Sequence, residues 1–188
     1  AVGALFLTLF VRRQQRAAQP MIDFSLFRNG GFSGGVMIAI VSGIALTGVE
    51  LVLTQRLQLV LGLSPLMSAL MLLPLPVASV LAAPLAGILL PRYGERAVFI
   101  FSFTLSALGI VFLLGLFSSA LIWQMLALFV TGCCLGAMFT AASTSIMLNT
   151  PEEKAGMVAA IEDVSWELGG VLGVTLLGGM MTAVYSYG

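Results

Sequence analysis

The sequence of 188 residues contains no histidine and few charged residues. Histidine is the commonest general base and metal ligand, so its absence argues against most acid–base enzymes and against histidine metal sites. Only 9% of the residues are charged, whereas a soluble domain averages about 25%. Lys plus Arg and Asp plus Glu each number 8, with no dense basic cluster. Since nucleic-acid binding needs such a cluster, we expect no nucleic-acid partner.

Cysteine is also scarce. The two cysteines, Cys133 and Cys134, are adjacent in an apolar run. Adjacent cysteines are poorly placed for an ordinary disulfide, and the sequence has no metal-ligand spacing. We interpret both as small packing residues, and expect neither a metal nor an organic cofactor.

The sequence consists mainly of long apolar segments. The chain is 60% apolar, with a mean hydropathy of +1.11. A membrane-spanning helix needs about 20 mainly apolar residues. We therefore expect an all-α membrane protein with one partial and five full transmembrane helices. The full helices are predicted over about 32–55, 66–90, 97–117, 121–148 and 154–184.

Both ends of the sequence look truncated. Its first ten residues, AVGALFLTLF, are nearly all apolar and soon meet Arg12 and Arg13. This segment is too short to span a membrane, and it lacks the charged start and cleavage site of a signal peptide. We interpret 1–11 as the end of a truncated transmembrane helix, 12–31 as a loop, and 32–188 as part of the helical bundle of a longer protein.

Helix-starting and helix-breaking residues refine these boundaries. Ser64 before Pro65 predicts the start of the second span, and Thr150 before Pro151 predicts an N-cap for the last. Three prolines inside the second span predict kinks or a break, which a membrane bundle tolerates. They are Pro74, Pro76 and Pro84.

Basic residues are distributed unevenly between the two sides of the membrane. Alternating topology places the loops at 11–31, 91–96 and 149–156 on one side, and the links at 54–65 and 118–121 on the other. The first group carries Arg12, Arg13, Arg16, Arg28, Arg92, Arg96 and Lys154, and the second carries only Arg56. The positive-inside rule predicts that the first group is cytoplasmic. We expect a multi-pass protein of the cell inner membrane.

Glycine pairs recur at a spacing of four residues, which lets membrane helices approach closely. The pairs are Gly30 and Gly34, Gly31 and Gly35, Gly132 and Gly136, and Gly169 and Gly173. They predict a compact bundle.

Three carboxyls interrupt the last span, in AAIEDVSWELGGVLG. Asp163 lies roughly 10–14 Å into the helix and Glu167 about 6 Å further, near the middle of the membrane. The two share one face, Trp166 lies on the same side, and Glu162 points about 100° away. A central Asp costs roughly 2.5–3.5 kcal/mol on insertion. We therefore expect these carboxyls to face a water-filled cavity, to be protonated, or to pair with a group elsewhere.

This acidic helix is predicted to bind a proton or a lipophilic cation, and the ring of Trp166 could contact an organic cation. The alternative is a buried carboxyl that forms a structural hydrogen bond, and it applies most strongly to Glu162. Glu50 is a further candidate, because it shares a helix face with Gly43, Thr47 and Thr54. That stripe either lines a cavity or, at Glu50, lies in the solvated interface.

Three segments together resemble the 14-span drug:proton antiporters of the major facilitator superfamily, of the QacA and SmvA type. They are PMIDFSLFRNGGF, GLSPLMSALMLLPLPVASVLAAPLAGILLPRYGER and NTPEEKAGMVAAIEDVSWELGGVLGV. The resemblance covers nearly the whole chain from Pro20 onward. It implies a major facilitator bundle in which this chain holds the end of span 8 and spans 9 to 13. Such bundles contain inverted three-helix repeats.

The resemblance also implies roles for particular residues. Acidic residues of span 13 in this family are implicated in binding cationic drugs and in proton coupling, and Asp163 and Glu167 match them, with Glu162 adjacent. A second match is GILLPRYGER, a degenerate copy of the gating-loop motif G-x-L-x-D-R-x-G-R-K. The matching residues are Gly87, Leu89, Arg92, Gly94 and Arg96, whereas Pro91 and Glu95 depart from the motif.

We therefore expect proton-coupled multidrug efflux of lipophilic or quaternary ammonium cations, with the proton as coupling ion. The expected partners are those cations, membrane lipid and the missing N-terminal half of the same protein. The alternative is a major facilitator transporter for a metabolite or sugar, which predicts buried Asn, Gln and Arg, and these are few. A membrane enzyme would need a catalytic constellation that the sequence lacks, and a structural bundle would not need three intramembrane carboxyls.

Overall fold

The computed structural model describes residues 23–116 and 121–187, together with Gly3, Leu9, Arg12 and Arg13. The predicted truncated helix over 1–11 and much of the loop over 12–31 therefore lie outside the described residues. Within the described part, every regular element is a helix. This confirms the predicted all-α fold.

The described residues form a bundle of six α-helices. They are α1 (Gly30–Gln55), α2 (Pro65–Leu72), α3 (Pro74–Tyr93), α4 (Glu95–Gly115), α5 (Leu121–Leu148) and α6 (Ala155–Tyr187). Short 3-10 turns at Phe24–Arg28 and Glu152–Lys154 precede α1 and α6, and a π-helical turn at Arg56–Val60 extends α1. With α2 and α3 counted as one segment, the described residues contain 5 helices long and apolar enough to cross a membrane. The predicted number of full spans is thus confirmed.

Proline and glycine determine where the second span breaks and ends. The helix is interrupted at Leu73, immediately before Pro74, which has no N–H to donate. By contrast, α3 continues through Pro84. It ends at Gly94, whose φ of 80° lies in the left-handed region that favours glycine. The loop predicted at 91–96 is thus reduced to one residue, Gly94, between two helices.

The two predicted helix starts have different outcomes. Ser64 is a cap, since its hydroxyl accepts a hydrogen bond from the backbone N–H of Met67 at 3.3 Å. The N-cap predicted at Thr150 is wrong, because its hydroxyl donates to the carbonyl of Ile146 at 2.8 Å. The last carbonyls of α5 lack helical partners, and Thr150 lies one turn beyond Ile146, within reach of one of them.

The helix α5 is the centre of the bundle. It packs against α1, α3 and α4, whereas α6 packs along α1 and has a much smaller contact with α5. The larger apolar core joins α5 to α1, α3 and α4 through Leu53, Leu75, Leu113, Leu128 and Met138. A second core joins α1, α5 and α6 around Phe32 and Val158. The acidic helix α6 is therefore held mainly by α1.

Glycines lie at the closest approaches between helices. A Cβ added to Gly132 or Gly136 would collide with the backbone carbonyl of Leu75 or Ser79 on α3. The pair Gly169 and Gly173 meets the backbone of α1 in the same way, and Gly31 and Gly35 meet side chains of α5 or of the residue after it. Close packing is thus confirmed for three of the four predicted pairs. The exception is Gly30 with Gly34, where a Cβ would meet nothing within 4 Å.

Polar contacts gather at one end of the bundle. Lys154 and Asp23 form an ion pair at 2.5 Å, and the hydroxyl of Ser145 donates to the carboxylate of Glu95 at 2.5 Å. The bond from Lys154, assisted by Ser25, holds the pKa of Asp23 well below its usual range. Residues from the loops predicted at 11–31, 91–96 and 149–156 therefore meet at the same end.

Candidate functional site

The acidic pair of α6 faces away from the other helices. Asp163 and Glu167 are both exposed and lie one helical turn apart on the same face. From Ala155, the first residue of α6, they lie about 12 and 18 Å along the helix axis. Both carboxyls are therefore well inside the spanning segment.

The surroundings of this pair decide what it can contact. An ionised carboxyl that faces lipid is expensive, so intramembrane carboxyls almost always face a bundle interior or a water-filled cavity. The neighbouring exposed residues of α6, such as Val164, Leu168 and Val171, are apolar. The acidic pair is thus a narrow polar strip between this apolar face and the side of α6 that is packed on the bundle. That geometry fits one wall of a cavity.

Glu162 belongs to a different face of the helix. Its side chain is only 7% exposed. It lies on the side that also carries the buried residues Val158, Ser165 and Gly169, and this side packs on α1. The three carboxyls therefore divide into an outward-facing pair and one member buried at the α1–α6 contact.

Trp166 joins the acidic helix to α5. Its ring stacks on Phe139, with ring centroids 4.2 Å apart and an interplanar angle of 16°. Phe139 therefore covers one face of the indole, and at most the other face is available to a cation. The sequence singled out Trp166 but not Phe139, because helical periodicity carries no information about which residue of another helix will be opposite.

Two polar atoms in this region are buried without a partner. The indole N–H of Trp166 and the hydroxyl of Ser42 make no hydrogen bond within the described part of the chain. Ser42 immediately precedes Gly43, whose added Cβ would lie 2.8 Å from the carbonyl oxygen of Trp166. Buried donors of this kind usually bind an ordered water or a ligand. The indole N–H of Trp166, which precedes Glu167 in sequence, is thus a free neutral donor near the acidic pair.

The residues of the polar stripe predicted on α1 do not all line one cavity. The hydroxyl of Thr47 contacts the carbonyl of Gly43 at 2.8 Å and, on α6, the carbonyl of Gly170 at 3.2 Å. A Cβ on Gly173 would also lie 2.5 Å from this hydroxyl oxygen. The interpretation of Thr47 and Gly43 as cavity-lining residues is therefore wrong. The glycines of α6 let the two helices meet at this point.

Glu50 lies away from the acidic pair. Its side chain is exposed. Gly43 approaches Gly169 and Gly48 approaches Leu177, so α1 and α6 run parallel and Glu50 is level with about Leu177 of α6. Leu177 is ten residues after Glu167, so Glu50 lies roughly 15 Å from Glu167 along the helix axis. The structure therefore does not bring Glu50 and the α6 carboxyls into one cluster.

The gating-loop residues lie at the opposite end of the bundle from Glu50. Arg92 and Arg96 are exposed on either side of the turn at Gly94, and an added Cβ on Gly87 would meet nothing within 4 Å. Glu95, which departs from the family motif, is bonded to Ser145 of α5. One of the two residues that depart from the motif thus attaches this turn to the bundle.

The site as a whole combines carboxylates with an aromatic pair. Among the described residues, no group of three or more His, Cys, Asp or Glu side chains is placed to hold a metal ion. Cys133 and Cys134 are free thiols. What the arrangement offers chemically is negative charge for a cation or proton and ring surface for an apolar ligand.

Comparisons with known proteins identify relatives over the whole chain. The family model "Major Facilitator Superfamily" matches residues 5–188. Methyl viologen resistance protein SmvA of Salmonella typhimurium is 38% identical over 185 residues, which are 98% of this chain and 37% of that protein. Multidrug efflux pump LfrA of Mycolicibacterium smegmatis is 33% identical over 186 residues, covering 98% of this chain and 37% of its own length. Multidrug resistance protein Stp of Mycobacterium tuberculosis is 32% identical over 185 residues, with 96% and 34% covered.

No solved structure matches the chain significantly. The chain spans little more than a third of the length of these curated relatives. The match to the family model covers all six helices, including the acidic helix α6. The chain therefore belongs to the major facilitator superfamily.

Proposed function

We propose that this chain is the C-terminal part of a 14-span pump that exports lipophilic or quaternary ammonium cations in exchange for protons across the cell inner membrane. The relatives named for methyl viologen resistance, multidrug efflux and multidrug resistance support the export of drugs. The first of these names refers to resistance to a compound that is itself an organic dication. The proposed partners are such cations, lipid and the N-terminal half of the protein.

One observation carries this proposal: Asp163 and Glu167 are exposed on one face, deep inside a membrane-spanning helix. Two carboxylates at this depth match the charge of a cationic substrate better than that of a neutral sugar. A cation exporter needs negative charge at the site where it binds its substrate. The stacked pair Trp166–Phe139 lies at the edge of this face and supplies apolar ring surface for the rest of the ligand.

Coupling to protons follows from competition for the same oxygens. When Asp163 and Glu167 are ionised they attract a cation, and when either is protonated that attraction weakens. Because a ligand shifts an equilibrium only by its differential affinity for the two states, proton entry from outside favours release of the cation. The cytoplasmic-facing state then loses its protons and binds the next cation.

The test is charge removal at constant size. Asp163→Asn and Glu167→Gln, each in the full-length protein, should abolish resistance to organic cations and the cation-driven release of protons from inverted vesicles. Membrane levels should match the wild type. Glu153→Gln is the matched control, because Glu153 is an exposed carboxyl just before the same helix. Undiminished cation efflux in both site variants would refute the mechanism.

Glu162 is assigned a different role because of its burial against α1. We propose that it contributes to the α1–α6 packing and does not contact the transported cation. Glu162→Gln should therefore change the resistance of the protein to unfolding more than its apparent affinity for cations. A selective loss of cation affinity, with unchanged unfolding, would place Glu162 in the binding site and contradict this division.

A further inference from the structure

The structure places Phe139 of α5 at the same depth in the bundle as the acidic pair. Phe139 lies about 14 Å along the helix axis from the C-terminal end of α5. Trp166, its stacking partner on α6, lies about 17 Å from Ala155 at the same end of the bundle. Asp163 and Glu167 come just before and just after Trp166 along α6. The aromatic pair and the two carboxyls therefore occupy one layer of the membrane.

Phe139 keeps a large free surface although Trp166 covers one of its faces. The ring centroids are 4.2 Å apart and the planes are 16° from parallel, so the indole occupies one face of the phenyl ring. The side chain is nevertheless 48% exposed, whereas Met138 beside it is fully buried. Most of this exposure therefore belongs to the opposite face and the edge of the ring. The indole is less exposed and its N–H is buried, so a ligand at this layer meets the ring of Phe139 first.

The side of α5 that carries Phe139 is partly polar. Ser143 lies one turn after Phe139 on the same face, and Thr140 and Thr144 are next to these two residues in sequence. All three hydroxyl-bearing side chains are half-buried. Polar residues in a membrane-spanning helix usually face a bundle interior or a cavity. This surface therefore continues the cavity wall that the acidic pair forms on α6.

A flat ring with one free face discriminates between cations by their shape. Aromatic rings prefer offset-stacked contacts, which contribute more than the apolar area that they bury. A planar heteroaromatic cation lies flat on such a face and brings its positive charge against the ring. A tetrahedral quaternary ammonium ion has no plane to stack, and its alkyl groups hold the charge away from the ring. The free face of Phe139 therefore favours planar cations.

We infer that Phe139 is a specificity-determining residue that selects planar heteroaromatic cations over tetrahedral quaternary ammonium ions. The cation lies on the free face of Phe139, Trp166 supports this ring from behind, and the carboxyls of α6 attract the charge. The inference rests on the proposed function, because it names the cations that the exporter binds best. It assigns the ring contact to Phe139, whereas the sequence singled out Trp166.

The experiment measures binding, so it does not require transport. Equilibrium dialysis against the purified full-length protein gives the dissociation constants of ethidium, a planar fused-ring cation, and of tetrabutylammonium, a tetrahedral one. Phe139→Leu keeps an apolar side chain beside the indole but removes the ring. It should raise the dissociation constant of ethidium by about 2- to 12-fold, the equivalent of one stacking contact. The dissociation constant of tetrabutylammonium should change much less.

Two further variants serve as controls. Phe129→Leu is the matched control, because Phe129 is an exposed phenylalanine of α5 about 15 Å from Phe139 along the axis. It should change neither dissociation constant. Phe139→Tyr retains a ring and should retain the wild-type preference for ethidium. If Phe139→Leu does not fold, Phe139→Met replaces it, since it also removes the ring and keeps an apolar side chain.

Three outcomes would overturn the inference. Equal weakening of both cations by Phe139→Leu would show a general apolar contact without shape selection. Unchanged ethidium binding in that variant would show that the ring lies outside the site. Loss of the preference in Phe139→Tyr would show that packing at this position, and not a stacked ring, is what matters.

Failure of the proposed function gives a different result. If the wild type binds ethidium in preference to tetrabutylammonium and Phe139→Leu removes that preference, but vesicles export neither cation, then the export function is refuted and the selectivity of the site stands. If the purified wild type binds neither cation, both proposals are refuted.

Discussion

The contact between α1 and α6 makes a sharp prediction about Gly169. A Cβ at this position would collide with the carbonyl oxygen of Ile40 and would lie 3.0 Å from the Cα of Gly43. All of these atoms belong to the backbone of α1, so no side-chain rotation can relieve the clash. Gly169→Ala must therefore push α6 away from α1, and with it the acidic face that α1 positions.

Two opposing effects determine how much Gly169→Ala changes the free energy of unfolding. Overpacking of a tight contact typically costs about 1–3 kcal/mol. Alanine regains about 1 kcal/mol relative to glycine through its higher helix propensity. We therefore expect Gly169→Ala to lower the free energy of unfolding by up to about 2 kcal/mol. The same change at Gly179, where an added Cβ meets nothing within 4 Å, should instead raise it by about 0.5–1 kcal/mol.

The assay compares Gly169→Ala and Gly179→Ala in the full-length protein, purified in one detergent and unfolded with denaturant or heat. The two variants change the same residue type in the same helix, so general effects of glycine replacement cancel. Cation export by each variant, measured in vesicles at equal protein levels, then tests whether the contact also positions the site. If Gly169→Ala proved as stable as Gly179→Ala, the close approach of α1 and α6 would be refuted.

Two further predictions concern contacts between elements. Asp23→Asn should lower the melting temperature at pH 7 by removing the ion pair with Lys154, whereas Glu152→Gln should not. Because this ion pair depresses the pKa of Asp23, its stabilisation is complete above the ordinary value of about 3.9 and is lost as the pH falls further, so the variant and wild type should converge in acid. Phe139→Leu should remove a stacking energy of about 0.5–1.5 kcal/mol with Trp166. A double-mutant cycle with Trp166→Leu measures this coupling, and strict additivity would contradict it.

Several features of the fold could be predicted because they depend on local sequence. A membrane span is recognised by its length and apolarity alone, and the break before Pro74 follows from the chemistry of proline. The prediction at Thr150 failed although it was also local. Two helix ends compete for that hydroxyl, and the choice between them depends on the path of the chain after α5.

The candidate site shows the same division. Helical geometry alone puts Asp163 and Glu167 on one face and Glu162 on another, and the burial of the three side chains agrees with it. Which of the two faces would pack on α1 was not predictable, because it depends on the glycines of one helix meeting the backbone of another. The same reason explains why Thr47 was interpreted as a cavity residue when it contacts α6.

The sequence by itself determined that this chain is a bundle of membrane helices, and that one of them carries a pair of carboxyls at mid-depth. Composition and the helical repeat are properties of short segments, and no partner is needed to read them. Only the tertiary structure decided that Phe139 covers one face of Trp166, that Glu50 lies far from the acidic pair, and that α3 and α4 leave an apolar groove between them. Each of these depends on how two or more helices are placed against each other, which is set by packing between residues distant in the chain.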